Sequence, residues 1–156
     1  MKRLPDEIVR FFRGQGFVIV STVDKRGMPH SSCKGLIKIS PAGKVYLLDV
    51  YLRGTYNNLK RNPHISITAV DEHKFKGYCL KGKVRLVSRD KLSAQIKKDW
   101  ESRITSRITQ RLIKNIRDQK GHPRHPEALF PQPEYMIVMD VKEIVDLTPH
   151  NLKGEF

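Results

Sequence analysis

The sequence predicts a mainly β protein, a small antiparallel barrel of six strands with one helical excursion before the last of them. Three observations carry that expectation. Short β-branched and apolar runs recur through the first 87 residues, separated by turn-forming residues. One region, residues 88–121, changes to a helical spacing. A final apolar run follows a proline-rich stretch and can return to close the barrel, which removes exposed sheet edges.

The elements come in order. Pro5 to Arg13 reads as an opening helix, with Pro5 suited to its first turn, Asp6 and Glu7 at its positive end and Gly14 closing it. Its apolar residues Ile8, Val9, Phe11 and Phe12 can cover one end of a barrel. Phe17–Val23 is the first strand, and Asp24–Gly27 a turn. Met28–Ile39 reads as one long extended arm, and Ser40–Gly43 as the next turn. Lys44–Val50 and His64–Val70 are the third and fourth strands. In Gly77–Val87, Leu80, Gly82, Val84 and Leu86 take one face, and Lys81, Lys83, Arg85 and Val87 the other.

Ser88 is placed to cap the helical region. There Leu92, Ile96, Trp100, Ile104, Ile108 and Leu112 recur every four residues. That spacing overshoots the helical repeat by about 40° per step, so the apolar stripe winds around the helix. The helix must therefore break near "SRITSRIT" (Ser102–Thr109) or change partner halfway, and Gly121 ends it. Residues 122–134 are proline-rich and extended or looped. Tyr135–Val141 is the last strand, continued after a bend by Ile144–Leu147.

The chain of 156 residues fits one domain, residues 1–156. Hydrophobic residues make up 38% and charged residues 29%, a folded rather than a disordered composition. No apolar run is long enough to span a bilayer, and the N-terminus lacks the apolar core of a secretory signal. Cys33 and Cys79 form no CxxC pair, which points to a reduced, cytoplasmic setting. Thirty Lys plus Arg against 16 Asp plus Glu give a net charge of +14, an attraction for anions such as nucleic acid, a membrane surface or a phosphorylated small molecule.

The segment joining the third and fourth strands is the most informative. "LRGTYNNLKRNP" (Leu52–Pro63) is about a dozen residues, long for a hairpin loop. Gly54 permits a close approach, Thr55 is a good N-cap, and Tyr56–Arg61 makes a short helix that Asn62-Pro63 stops. A helix start beside an arginine is an anion site. Arg53, the Thr55 hydroxyl and the Asn58 amide can converge on a phosphate. The plainer reading is an ordinary capped connector with a solvated arginine.

The run from Phe17 to Val87 resembles the pyridoxamine-phosphate-oxidase-like family of FMN-binding split barrels. The pieces that carry the likeness are "VIVSTVDKRGMPHSSCKGLIKI", "GKVYLLDVYLRGTYNNLKRNPHISITAV" and "GYCLKGKVRLV", in the family's order. The resemblance implies a six-stranded antiparallel split barrel of the FMN-binding type, forming a homodimer with FMN at the subunit interface. It implies a phosphate site at Arg53, Thr55 and Asn58, and on the arm at Ser31, Ser32, Cys33 and Lys34. Asp49 and Val50 would lie beside the flavin ring, and Tyr56 would stack or pack. Lys34 or backbone amides would stabilise the charge of the reduced ring. The partner would be a small-molecule substrate or electron donor. Users of the deazaflavin F420 and haem-handling proteins also occur in the family.

This sequence departs from the vitamin B6 oxidases proper. The basic pair of their connector is Gly54-Thr55 here, and the C-terminal Trp and Arg of their flavin site have no counterpart in "VDLTPHNLKGEF". Flavin binding is therefore implied more strongly than B6 oxidation, and the resemblance implies an FMN-dependent oxidoreductase, with a flavin- or F420-binding electron carrier or a basic nucleic-acid-binding barrel without catalytic activity as the alternatives.

Other groups have ordinary readings. His122 and His125 are three apart, but the flanking prolines keep them extended, and no Cys or acidic cluster joins them. His30 reads as a surface histidine or a proton relay, and Cys33 as a small buried thiol. Arg103, Arg107 and Arg111, with Lys114 and Arg117, form a basic ridge. It suits nucleic acid or a solvated face, and the absence of interleaved aromatics disfavours single-strand stacking.

Overall fold

The computed structural model describes residues 2–117 and 132–153. His122, His125, Gly121 and most of the proline-rich stretch lie outside the described residues. The elements are α1 (Asp6–Arg13), β1 (Val18–Val23), β2 (Pro29–Lys34), β3 (Leu36–Ser40), β4 (Lys44–Asp49), α2 (Gly54–Arg61), β5 (His64–Asp71), β6 (Lys76–Ser88), α3 (Ala94–Ile116) and β7 (Tyr135–Asp146).

The seven strands form one antiparallel sheet in the order β2-β1-β5-β6-β7-β4-β3. Six strands were expected. The extra one arises because the arm from Met28 to Ile39 is two strands, broken at Gly35. These two strands are neighbours in the chain but occupy opposite edges of the sheet. One residue joins them, so the sheet must curl until its edges meet at that point. The result is a barrel with a seam.

Alternation along the strands sorts side chains inside and outside. Val18, Val20, Leu36, Ile39, Leu47, Ile67, Leu80, Ile137 and Met139 fill the interior. α1 closes one end with Ile8, Val9 and Phe12, and α2 reaches the interior with Leu59. A second apolar layer lies outside the barrel, where Trp100 and Ile104 of α3 pack on Ile37, Leu48, Met136 and Val138. α3 thus covers the β3–β4–β7 side.

α3 differs from expectation in two ways. β6 runs through Ser88, and the cap is Ser93, whose Oγ accepts the Ile96 N–H at 3.3 Å. The helix is also unbroken through "SRITSRIT". Its apolar stripe simply rotates off the sheet, so Leu112, Ile113 and Ile116 face solvent, Ile116 being 82% exposed.

β7 is a single strand, with a bulge where a bend was expected. Lys81 pairs with Glu143 and Gly82 with Val141, leaving Lys142 as the extra residue. The backbones crowd there: a Cβ on Gly82 would lie 2.1 Å from the Asp140 carbonyl oxygen. Gly82→Ala is expected to destabilise the fold by about 1–3 kcal/mol in urea unfolding, because backbone rather than a flexible side chain must move.

Candidate functional site

The site lies at the end of the barrel where β2 and β4 finish and α2 begins. Alternation directs Ser32 and Lys34 to the interior side of β2, and Ser31 and Cys33 to the other. The interior pair meets other predicted residues. Ser32 Oγ and Thr55 Oγ1 are 3.0 Å apart. The Lys34 ammonium pairs with the Asp49 carboxylate. Ser31 instead bonds Ser21 at 2.9 Å, and Cys33 is an exposed free thiol.

α2 starts at Gly54, one residue before the expected cap, with Arg53 in the capping position and no side chain filling that role. Thr55 is therefore inside the first turn and buried, free of capping duty. Gly54 does make a close approach, though to a side chain: an added Cβ would sit 3.0 Å from His30 Cε1. Asn58 is buried and donates its amide to Thr22 Oγ1 at 3.0 Å, anchoring α2 to β1. Arg53 is exposed, its guanidinium 5.7 Å from the Tyr51 ring centre. Val50 is half-buried and packs on the outer apolar layer.

Lys34 and Asp49 are the unusual pair. Both side chains are only 8% exposed. Asp49 Oδ2 also accepts the Tyr135 hydroxyl at 2.7 Å, and Oδ1 the Tyr51 N–H at 3.2 Å. The carboxylate is thus well supplied with donors. Lys34 has three N–H donors, and Asp49 is its one partner among the described residues. A buried ammonium with donors to spare suits an acceptor from outside the chain. Tyr135 was not singled out from sequence. Its ring meets Tyr56 edge-on at 4.9 Å, and Lys60 lies 5.5 Å over Tyr56. A cavity of about 450 Å³ adjoins this pair, lined by Leu52, Tyr56, Leu86, Tyr135, Lys60 and Lys91 among others.

The donor set fits a phosphorylated, planar cofactor. Two hydroxyls, an arginine and an uncapped helix start suit a phosphate, and the spare lysine donors suit an anionic ring edge. Among the described residues no group of three or more His, Cys, Asp or Glu could hold a metal, and no helix is long and apolar enough to cross a membrane.

The fold is an antiparallel barrel with a seam, with a cluster of polar donors at one end. The family model for pyridoxamine 5'-phosphate oxidase matches residues 4–130, and the chain belongs to that family. Solved structures share the fold at low identity. One is a Clostridium acetobutylicum protein of the pyridoxinephosphate oxidase family, related to general stress protein 26 of B. subtilis; at 15% identity, 94% of this chain and 95% of that one align with a TM-score of 0.57. The haem storage protein HutZ of Vibrio cholerae aligns at 18% identity over 92% and 94% of the two chains, TM-score 0.54. An F420 reductase aligns at 14% identity over 83% and 88%, TM-score 0.52. No curated protein matches the chain.

Two outcomes follow from the buried triad. Lys34→Met leaves the Asp49 charge buried without its counter-ion and should cost about 3–5 kcal/mol, while Lys34→Met with Asp49→Leu should recover most of it in denaturant titrations. The second concerns pH. Burial, then the neighbouring Asp49 charge, pushes the Tyr135 phenol well above its ordinary range. The folded chain keeps that proton when the unfolded chain releases it, above about pH 10. The group's contribution is whole below that pH and is lost as pH rises through the alkaline range. Tyr135→Phe should flatten that alkaline loss, read as unfolding free energy in denaturant titrations across the alkaline range.

Proposed function

We propose that this chain is a flavin-dependent oxidoreductase that binds FMN, working as a homodimer with the cofactor at the subunit interface. The observation that carries the reading is the buried Lys34 ammonium with donors to spare, beside the Ser32–Thr55 hydroxyl pair and the uncapped start of α2. Family membership supports it.

In this reading Thr55, Ser32, Arg53 and the first amides of α2 hold the phosphate. Lys34 offers its remaining donors to the ring edge, and Asp49, held by Tyr135, fixes the direction of that ammonium. Bound FMN would supply the hydride and electron chemistry. The lysine charge favours the reduced, anionic form of such a ring. The cavity by Tyr56 and Tyr135 gives a small-molecule substrate or electron donor a place next to the site. F420 is the alternative cofactor, a choice that the F420 reductase of like fold keeps open.

The second reading is a basic nucleic-acid-binding module. Arg103, Arg107, Arg111, Lys114 and Arg117 on α3 favour it, since no acidic residue occurs from Ser102 to Arg117.

A visible spectrum of the purified protein, followed by FMN, F420 and haemin titrations, separates these readings. Flavin bands, or tight saturable quenching of FMN fluorescence, are expected. Arg53→Ala with Thr55→Val should weaken FMN by about tenfold or more, and an unchanged affinity would move the phosphate elsewhere. A colourless protein that takes up none of the three, and shifts RNA or DNA with steep salt dependence, would favour the basic module.

A further inference from the structure

α3 outruns the sheet on which it packs. Trp100 and Ile104 bury against Ile37, Leu48, Met136 and Val138, and Ile108 is the last apolar residue of the helix to join that layer. The helix continues to Ile116, so roughly two further turns carry apolar side chains that meet no core. Leu112 is 57% exposed, Ile113 45% and Ile116 82%. They form one face. At about 100° per residue, Leu112, Ile116 and Ile113 fall within about 100° of the helix circumference. The centre of that arc lies about 130° round from Ile104, which is buried on the sheet, so the face is turned away from the barrel.

The charges beside this face are all of one sign. No Asp or Glu occurs from Ser102 to Arg117. Arg107 is committed to the barrel: its guanidinium lies over Gly35, where an added Cβ would meet it at 2.4 Å. Arg111, Lys114 and Arg117 belong to the overhanging turns, and no salt bridge among the described residues holds any of them. Lys114 and Arg117 are exposed. Cations complement the dipole at a helix C-terminus, which accounts for the charges. It does not account for three aliphatic side chains in water next to them.

The occupant must satisfy both groups. A nucleic-acid backbone would take the charges and leave the aliphatic face unused, and from Glu101 to Arg117 there is no aromatic residue to stack on a base. A second copy of the chain brings the same net charge of +14 and so repels. A bilayer surface with anionic lipid takes both, burying the aliphatic face at the headgroup boundary while the basic side chains reach the lipid charges. We infer that the overhanging end of α3 docks on an anionic lipid surface through Leu112, Ile113 and Ile116, with Lys114 and Arg117 on the headgroups. The helix lies on the bilayer; it is not apolar enough to cross one. The inference does not rest on flavin binding.

Cosedimentation of the full-length protein with lipid vesicles tests it. Vesicles of phosphatidylcholine with about one-third phosphatidylserine should bind the protein, and vesicles of phosphatidylcholine alone should bind about tenfold or more weaker. The triple variant Leu112→Gln, Ile113→Gln, Ile116→Gln keeps the net charge and should lose about tenfold or more in partition. Glutamine is a good helix former and the three positions are exposed, so the variant should fold; circular dichroism and a thermal melt check that. Lys114→Gln with Arg117→Gln should lose about tenfold as well. Absence of binding to the mixed vesicles, equal binding to both kinds, or parent-like binding by the folded triple variant would each overturn the proposal, the last by reducing it to a diffuse attraction between a basic protein and any anionic surface. RNA or DNA binding that the double variant loses, without vesicle binding, would overturn it in favour of the basic nucleic-acid module. An FMN titration of the parent reports on the flavin reading separately.

Discussion

The buried pairing of Lys34 with Asp49 is the constraint on which the architecture turns. Lys34 ends β2, one edge of the sheet, and Asp49 ends β4, next to the other edge. The pair therefore spans the seam of the barrel. Burying two charges is costly, and removing one partner alone leaves the other charge buried without a counter-ion, so the two must come together. Here the arrangement brings the interior side of β2 against the beginning of α2. In the same arrangement Ser32 meets Thr55, and Tyr135 of β7 donates its hydroxyl to the Asp49 carboxylate.

The same end of the barrel is assembled from four separate parts of the chain, and each serves a different physical need. α2 is fixed by Leu59 in the core and by Asn58 on Thr22, which leaves its first turn uncapped at the surface. Because Asn58 is committed to β1, polar contacts to a ligand fall to the hydroxyls, to Arg53 and to backbone amides. His30 packs against Gly54, so the approach to the first turn is narrowed on one side. The chemistry of the site is thus set by polar groups with bonding capacity to spare, among them the Lys34 ammonium, which keeps donors beyond its pairing with Asp49.

Much of this was legible in the chain. Strand positions followed β-branched runs and turn residues, and the connector was readable as a short helix because Gly54 and Asn62-Pro63 bracket it. The alternation of β6 was legible too, since Gly82 sits in phase with Leu80, Val84 and Leu86. What escaped depended on distant partners. Nothing near Gly35 distinguishes a glycine inside a long arm from one at a corner; only the placement of β3 against β4 does. Tyr135 is an ordinary strand residue until the fold sets it 86 positions away against Asp49. Thr55 looked like a cap because capping is local, whereas its bond to Ser32 is tertiary. The fourfold stripe of α3 did force a conflict, and the fold resolved it by leaving Leu112, Ile113 and Ile116 in water rather than by bending the helix.

The corner at Gly35 also shapes how the polypeptide can reach this state. β1 and β2 can zip together, as can β3 and β4, soon after they emerge from a ribosome, since each pair is local. The two hairpins cannot be joined in one sheet until β7 arrives to lie between β6 and β4. Until residue 146 has been made, the nascent chain holds two sheet fragments, each with bare strand edges seeking a partner. The helical excursion of α3 delays that last strand further, so the bare edges persist over the longest stretch of synthesis.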